Sequence, residues 1–160
     1  MKYKHIVKVF VVVVGVIFVL IQFVQPNRDN PQFDPLKTMQ AELQAPANIV
    51  ALLDRGCIDC HSNQTRWPFY AYVAPASWLV AYDVSEGRKH FNMSEWGKYR
   101  LSKKASILGG INSTVKEKEM PLPKYIPLHP EADFSDAERD TLAAWAQSAA
   151  EKMMGGDDAE

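Results

Sequence analysis

The pattern of apolar and polar positions divides the chain in two. Residues 6–24 are almost wholly apolar, broken only by Lys8 and Gln22. Beyond them the apolar positions recur at helical spacing between proline-rich breaks. Ile49, Leu52 and Leu53 form one face of a helix predicted over 47–55, which Gly56 ends. Prolines at 68 and 75 rule out a continuous helix there. The next helix is predicted over 77–86, with Trp78, Leu79 and Tyr82 on one face and Gly87 as its stop. Asn92 to Glu95 reads as a cap with a glutamate at the third helical position. It opens a helix to about Leu108, which Gly109-Gly110 interrupts before another turn or two over 111–119. Four prolines between Met120 and Pro130 make a fixed loop. Ser135-Asp136-Ala137-Glu138 is a capping box. It starts a last helix to about Met153, with Leu142, Trp145 and Ala149 on one face. No alternating strand pattern and no internal repeat occur, so the predicted fold is all-α.

The first apolar run is close to the roughly 20 residues that cross a bilayer as a helix. Lys2, Lys4 and Lys8 stand at its N-terminal side, and no acidic residue precedes Val24. The positive-inside rule then holds the N-terminus in the cytoplasm and exports the rest. Cleavage as a signal peptide is the rival reading. The exit Leu20-Ile21-Gln22-Phe23-Val24-Gln25-Pro26 lacks the small-residue site a peptidase needs, so an uncleaved anchor is favoured. This gives a cytoplasmic stub over 1–5, an anchor over 6–24 and a Pro-rich linker over 25–45 that holds the domain off the membrane. A domain over 46–152 and an acidic tail over 153–160 complete the chain.

Charge adds little. Beyond residue 24 about 15 basic residues face 19 acidic ones, a net charge of about −4. No basic stripe with interleaved aromatics is present, so nucleic acid is not an expected partner.

The chemistry is concentrated in Cys57-Ile58-Asp59-Cys60-His61. Two cysteines two residues apart, followed at once by histidine, are the attachment signature of a c-type haem. Cys57 and Cys60 would each bond a haem vinyl group, and His61 would reach the iron. The chain has no other cysteine, so its thiols serve one haem c. A redox dithiol wants a βαβ context, and a zinc site wants more ligands nearby. Neither is seen: the other histidines are His5, His90 and His129. Export agrees with the haem, because such motifs are loaded in bacteria outside the cytoplasm.

The order of parts resembles a class I c-type cytochrome: a helix running into Cys-x-x-Cys-His, a later Met-Pro loop, and a C-terminal helix with an aromatic in its centre. More specifically, residues 57–70, reading CIDCHSNQTRWPFY, are similar to a family of bacterial haem-binding domains whose members carry CxDCHSNxTxWPWY. Ala74-Pro75-Ala76-Ser77-Trp78-Leu79, Asp83-Val84-Ser85-Glu86-Gly87-Arg88 and Asn92-Met93-Ser94-Glu95-Trp96 match its APxSWL, DVxEGR and NxSEW segments. Phe69 replaces a commoner tryptophan. The resemblance covers roughly residues 46–150 and implies a class I cytochrome c-like helical haem domain; with the apolar run before it, the expected architecture is all-α, that domain standing behind an N-terminal transmembrane helix. It implies a cofactor more firmly than a reaction.

The same resemblance makes Met120 the leading candidate for the sixth iron ligand, just before the last helix. Met93, His90 and His129 are rivals, and an open site is the remaining choice. Trp67, Phe69, Trp78, Trp96 and Trp145 are expected to pack the haem rather than carry a special role. Asn63, Arg66 and Arg88 are candidates for a haem propionate, or equally for caps and surface contacts. The expected protein is a single-pass protein of the bacterial inner membrane, with its haem domain in the periplasm and electron transfer to an unidentified redox partner. A haem-based sensor or peroxidase-like enzyme with an open distal site is the alternative; a carrier needs no catalytic base or nucleophile, and no convincing triad is present.

Overall fold

A computed structural model of the chain describes residues 2–155. The described residues contain α-helices and short 3-10 turns and no strand. The helices are α1 (Lys2–Ile21), α2 (Met39–Glu42), α3 (Ala47–Gly56), α4 (Ile58–His61), α5 (Ala76–His90), α6 (Leu101–Lys116) and α7 (Asp136–Gly155). The predicted tail beyond residue 155 lies outside the described residues.

Helix α1 stands apart, with none of its apolar span Tyr3–Ile21 buried, and is long and apolar enough to cross a membrane. The other helices surround one core. Helix α6 packs along α7, α3 lies against α7, and α5 lies against α4. Ile49, Leu52 and Leu53 of α3 are buried, as their spacing predicts. They meet Ile107, Leu108, Ile111 and Val115 of α6 and Leu142, Ala146 and Ala150 of α7 in one cluster. The alanines let α7 come close, while Trp145 is only half-buried at the edge.

Ser135 and Glu138 form the predicted capping box. The Ser135 N–H donates to Glu138 Oε2 at 2.8 Å, and the Glu138 N–H donates to Ser135 Oγ at 3.3 Å. Arg55 of α3 pairs with the same glutamate, so the cap also ties α7 to α3. These contacts, the backbone and side chain of Ser135 first, hold the Glu138 carboxyl below its ordinary range.

Three boundaries differ from the sequence reading. Asn92 caps a 3-10 turn, Met93–Lys98, and the break falls at residues 99–100 rather than at Gly109-Gly110. Helix α6 runs through both glycines, because the face Ile107, Leu108, Ile111 and Val115 is buried and outweighs their poor propensity. Helix α5 continues through Gly87 to His90, and the reason lies in the site below. The stretch read as a spacer is also attached. Thr38 and Met39 are buried, Arg28 Nη1 donates to Ala71 O at 3.2 Å, and Asn30 Nδ2 donates to Thr65 O at 2.9 Å.

A Cβ at Gly109 would meet nothing within 4 Å. Gly109→Ala is therefore expected to stabilise the domain by about 0.5–1 kcal/mol. Leu108→Ala, at a fully buried position, is expected to cost about 2–5 kcal/mol. Urea denaturation followed by circular dichroism checks both; a destabilising Gly109→Ala would contradict a continuous α6.

Candidate haem site

The motif is one tight helical turn. Gly56 ends α3, Cys57 lies between the two helices, and α4 carries Ile58 to His61. The His61 N–H donates to Cys57 O at 2.9 Å, which places both cysteines and the histidine on adjacent points of one turn. Two glycines allow the surrounding chain to come this close. A Cβ on Gly87 would lie 2.5 Å from Cys60 O, so α5 rests on the motif's backbone at that point. A Cβ on Gly56 would lie 2.5 Å from the Phe134 ring and 2.8 Å from Pro121. Gly87 is thus a packing residue inside α5 and not a stop signal.

Phe91, directly after α5, sets the His61 ring. The rings stack with centroids 4.2 Å apart and planes 15° apart. His61 Nδ1 lies 3.3 Å from Phe91 O. A ring that donates from Nδ1 to a carbonyl keeps the Nε2 lone pair free for a metal. Burial lowers the His61 pKa, which favours the same neutral form. Burial also pushes the Cys57 thiol up to about 12, the neighbouring Cys60 adding to it. Cys60 rises to about 11, from burial first and then from the charges of Asp59 and Asp83. As free thiols both are neutral at physiological pH.

Three cavities border this turn; the smallest, about 160 Å³, reaches Cys60 and His129, and the other two reach His61. One, about 300 Å³, is lined by Cys57, Leu53, Phe91, Ile107, Ile111 and Val115 among others. The other, about 280 Å³, is lined by Cys60, Asp59, Tyr82, Asp83, Leu122 and Tyr125 among others. Gly56, His61, His90 and Met120 line both. Met120 is anchored through its backbone: its N–H donates to Thr114 O at 3.1 Å, and its carbonyl accepts from Arg139 Nη1 at 2.8 Å. Of the rivals, His90 also borders both cavities. Met93 is 1% exposed within the core. His129 belongs to a neighbouring network, with Nε2 2.5 Å from Tyr70 Oη and its ring stacked 3.9 Å from Tyr125.

The donor set and the space fit a haem. Two thiols stand at attachment spacing, an imidazole turns its Nδ1 to a carbonyl, a thioether shares both cavities with it, and the walls are largely apolar on the Cys57 side and mixed on the Cys60 side, where Asp83, Glu86 and Lys124 stand. Bound haem supplies one-electron redox chemistry at iron. Among the described residues no group of three His, Cys, Asp or Glu side chains could hold a metal ion, so a zinc site has no ligand set here.

A family model described as a haem-binding domain matches residues 16–148. The chain belongs to that family. This haem-binding domain is also 32% identical over 121 residues to cytochrome c peroxidase Ccp of Escherichia coli (strain K12), covering 70% of the chain and 26% of that protein. The chain therefore spans about a quarter of that relative's length. No solved structure matches.

The polar residues of the motifs do structural work. Arg88 donates to Ser62 O at 2.8 Å, Asp29 O at 3.1 Å, Asn30 Oδ1 at 2.8 Å and Thr65 Oγ1 at 3.0 Å, stapling the loop after His61 to the segment behind α1. Arg66 grips Asp59 and Asp54. Asn63 is held by Asn92 and Ser94. None of the five aromatics expected to wall the haem lines either cavity; Tyr82, Phe91 and Tyr125 do. Trp96 is fully buried elsewhere in the core, and Phe69 is 84% exposed. Phe91 was missed because the helix was stopped at Gly87; its place one residue before the Asn92 cap was the available signal.

Two outcomes follow. Gly87→Ala forces α5 off the Cys60 backbone and is expected to cost about 1–3 kcal/mol and reduce haem loading, read from haem absorbance per chain. Loading and stability equal to those of the unmodified chain would contradict the close contact. His61 has a lowered folded pKa, so the stability from its neutral form is present above the ordinary value of 6.5 and is lost as pH falls. The thermal midpoint should therefore drop between pH 7 and pH 5, a window set by that value; a rise on acidification would contradict the buried neutral ring.

Proposed function

We propose that this haem-binding domain is a membrane-anchored c-type cytochrome that carries electrons. One haem would be held by Cys57 and Cys60 through thioether bonds and by His61 and Met120 at the iron. The observation that carries this reading is that Met120, held through its backbone by Thr114 and Arg139, borders the same two cavities as His61; His90 borders them too, but it is the last residue of α5 and no such loop anchors it there. His–Met ligation raises the haem potential and leaves no open coordination position, which suits electron transfer over ligand capture. The chain's own part is to orient His61 through Phe91, hold Met120 through Thr114 and Arg139, and exclude water with the walls of both cavities. Helix α1 anchors the protein in the bacterial inner membrane, and the lysines at its N-terminal end favour residues 25–160 on the periplasmic side. The redox partner is a protein that docks transiently.

The similarity to a protein named a cytochrome c peroxidase supports a second reading, a haem domain serving peroxide chemistry. It needs an iron position that opens readily.

Acid-acetone extraction followed by denaturing electrophoresis is expected to leave haem on the polypeptide; a colourless band would contradict covalent attachment. Met120→Ala is expected to lower the midpoint potential by on the order of 0.1 V and to admit carbon monoxide. Met93→Ala should do neither. An unmodified ferrous protein that binds carbon monoxide readily would favour the peroxidase or sensor reading.

A further inference from the structure

Helix α5 carries an apolar face that the fold leaves uncovered. Trp78, Leu79 and Tyr82 are 38%, 51% and 61% exposed. The same helix buries Ser77, Val84 and Gly87 instead. Beside this face stand Phe69 and Tyr72 on the 3-10 turn Phe69–Tyr72, at 84% and 53% exposure, and Leu128 at 65%. The turn packs on α5, and Leu79 and Leu128 line one cleft that runs in to Cys60, so they stand at its rim beside the turn. An apolar patch of that kind marks an interaction surface.

The start of the chain indicates what covers it. The Gln22 amide, one residue beyond α1, brackets Ala74: its Nε2 donates to Ala74 O at 3.0 Å, and the Ala74 N–H donates to Gln22 Oε1 at 2.9 Å. Trp78 Nε1 donates to Val24 O at 2.7 Å. The Arg28 guanidinium lies 4.4 Å over the Tyr72 ring. The patch is thereby clamped to the mouth of the apolar helix. With Tyr3–Ile21 across a bilayer, residues 71–78 lie at its surface. Tryptophan and tyrosine are enriched at that depth, where an apolar ring and a polar edge are both satisfied.

We propose that Phe69, Tyr72, Trp78, Leu79 and Leu128 dock the haem domain into the headgroup layer of the membrane that α1 spans. This rests on the reading of α1 as a membrane anchor. Because Tyr82 of the same helix face lines the Cys60 side of the haem cavities, docking turns that side toward the lipid surface.

The test uses the haem-loaded full chain in vesicles of phosphatidylethanolamine and phosphatidylglycerol. The photo-crosslinking residue p-benzoylphenylalanine is placed at Phe69, at Leu128, or at Leu36, which is 79% exposed and lies off the patch. Haem absorbance checks that each variant folds, and the two patch positions serve as independent probes. The expected result is phospholipid adducts by mass spectrometry at positions 69 and 128, several-fold above position 36. A chain retained by vesicles after alkaline carbonate washing, with no excess of lipid adducts at the patch, overturns the docking alone. Crosslinks from the patch to a second copy or to another protein in place of lipid overturn it too. Release of the chain by carbonate overturns the anchor reading and the docking with it.

Discussion

Helix α5 lying directly on the Cys57–His61 turn is the contact on which the rest depends. Gly87 permits the approach, since any Cβ there would run into the Cys60 carbonyl. The approach brings Phe91 over the His61 ring and supplies its carbonyl to Nδ1. It also carries Arg88 to the loop after His61, where four hydrogen bonds close that loop against the segment leaving α1. One helix therefore orients the imidazole, closes the loop and fixes the domain near the apolar helix.

The opposite side of the site is built by α6, α7 and the proline loop. Arg139 of α7 is buried, yet it is satisfied by the carbonyls of Phe134, Val115 and Met120. A buried cation whose charge is met by three carbonyls links the end of α6, the Met120 loop and the start of α7. The position of Met120 is thus coupled to the packing of the largest helix pair. Substitutions at that interface act on the site without touching it.

Much of this was legible in the sequence. The period of Ile49, Leu52 and Leu53, the Ser135–Glu138 box and the spacing of Cys57, Cys60 and His61 are local signals, and local geometry follows them. Gly87, Gly109 and Gly110 were misread because a glycine's role is decided by what it packs against. At Gly87 that is the Cys60 backbone, distant in sequence; at Gly109 it is open space. The aromatics failed for a related reason. Trp78, Leu79 and Tyr82 have the helical spacing of a core face, but spacing tells only that a face is apolar. In the structure Trp78 and Leu79 point outward beside the mouth of α1, whereas Tyr82 of the same face borders the Cys60 cavity with Tyr125, and Phe91 borders the other.

Electron transfer as proposed requires that His61 and Met120 together hold the haem. The most direct measurement is the far-red absorption spectrum of the oxidised, unmodified full chain. Methionine sulfur on a low-spin ferric haem gives a weak charge-transfer band there, and the account predicts that band at neutral pH. A high-spin spectrum, or a low-spin one without the band, would contradict it.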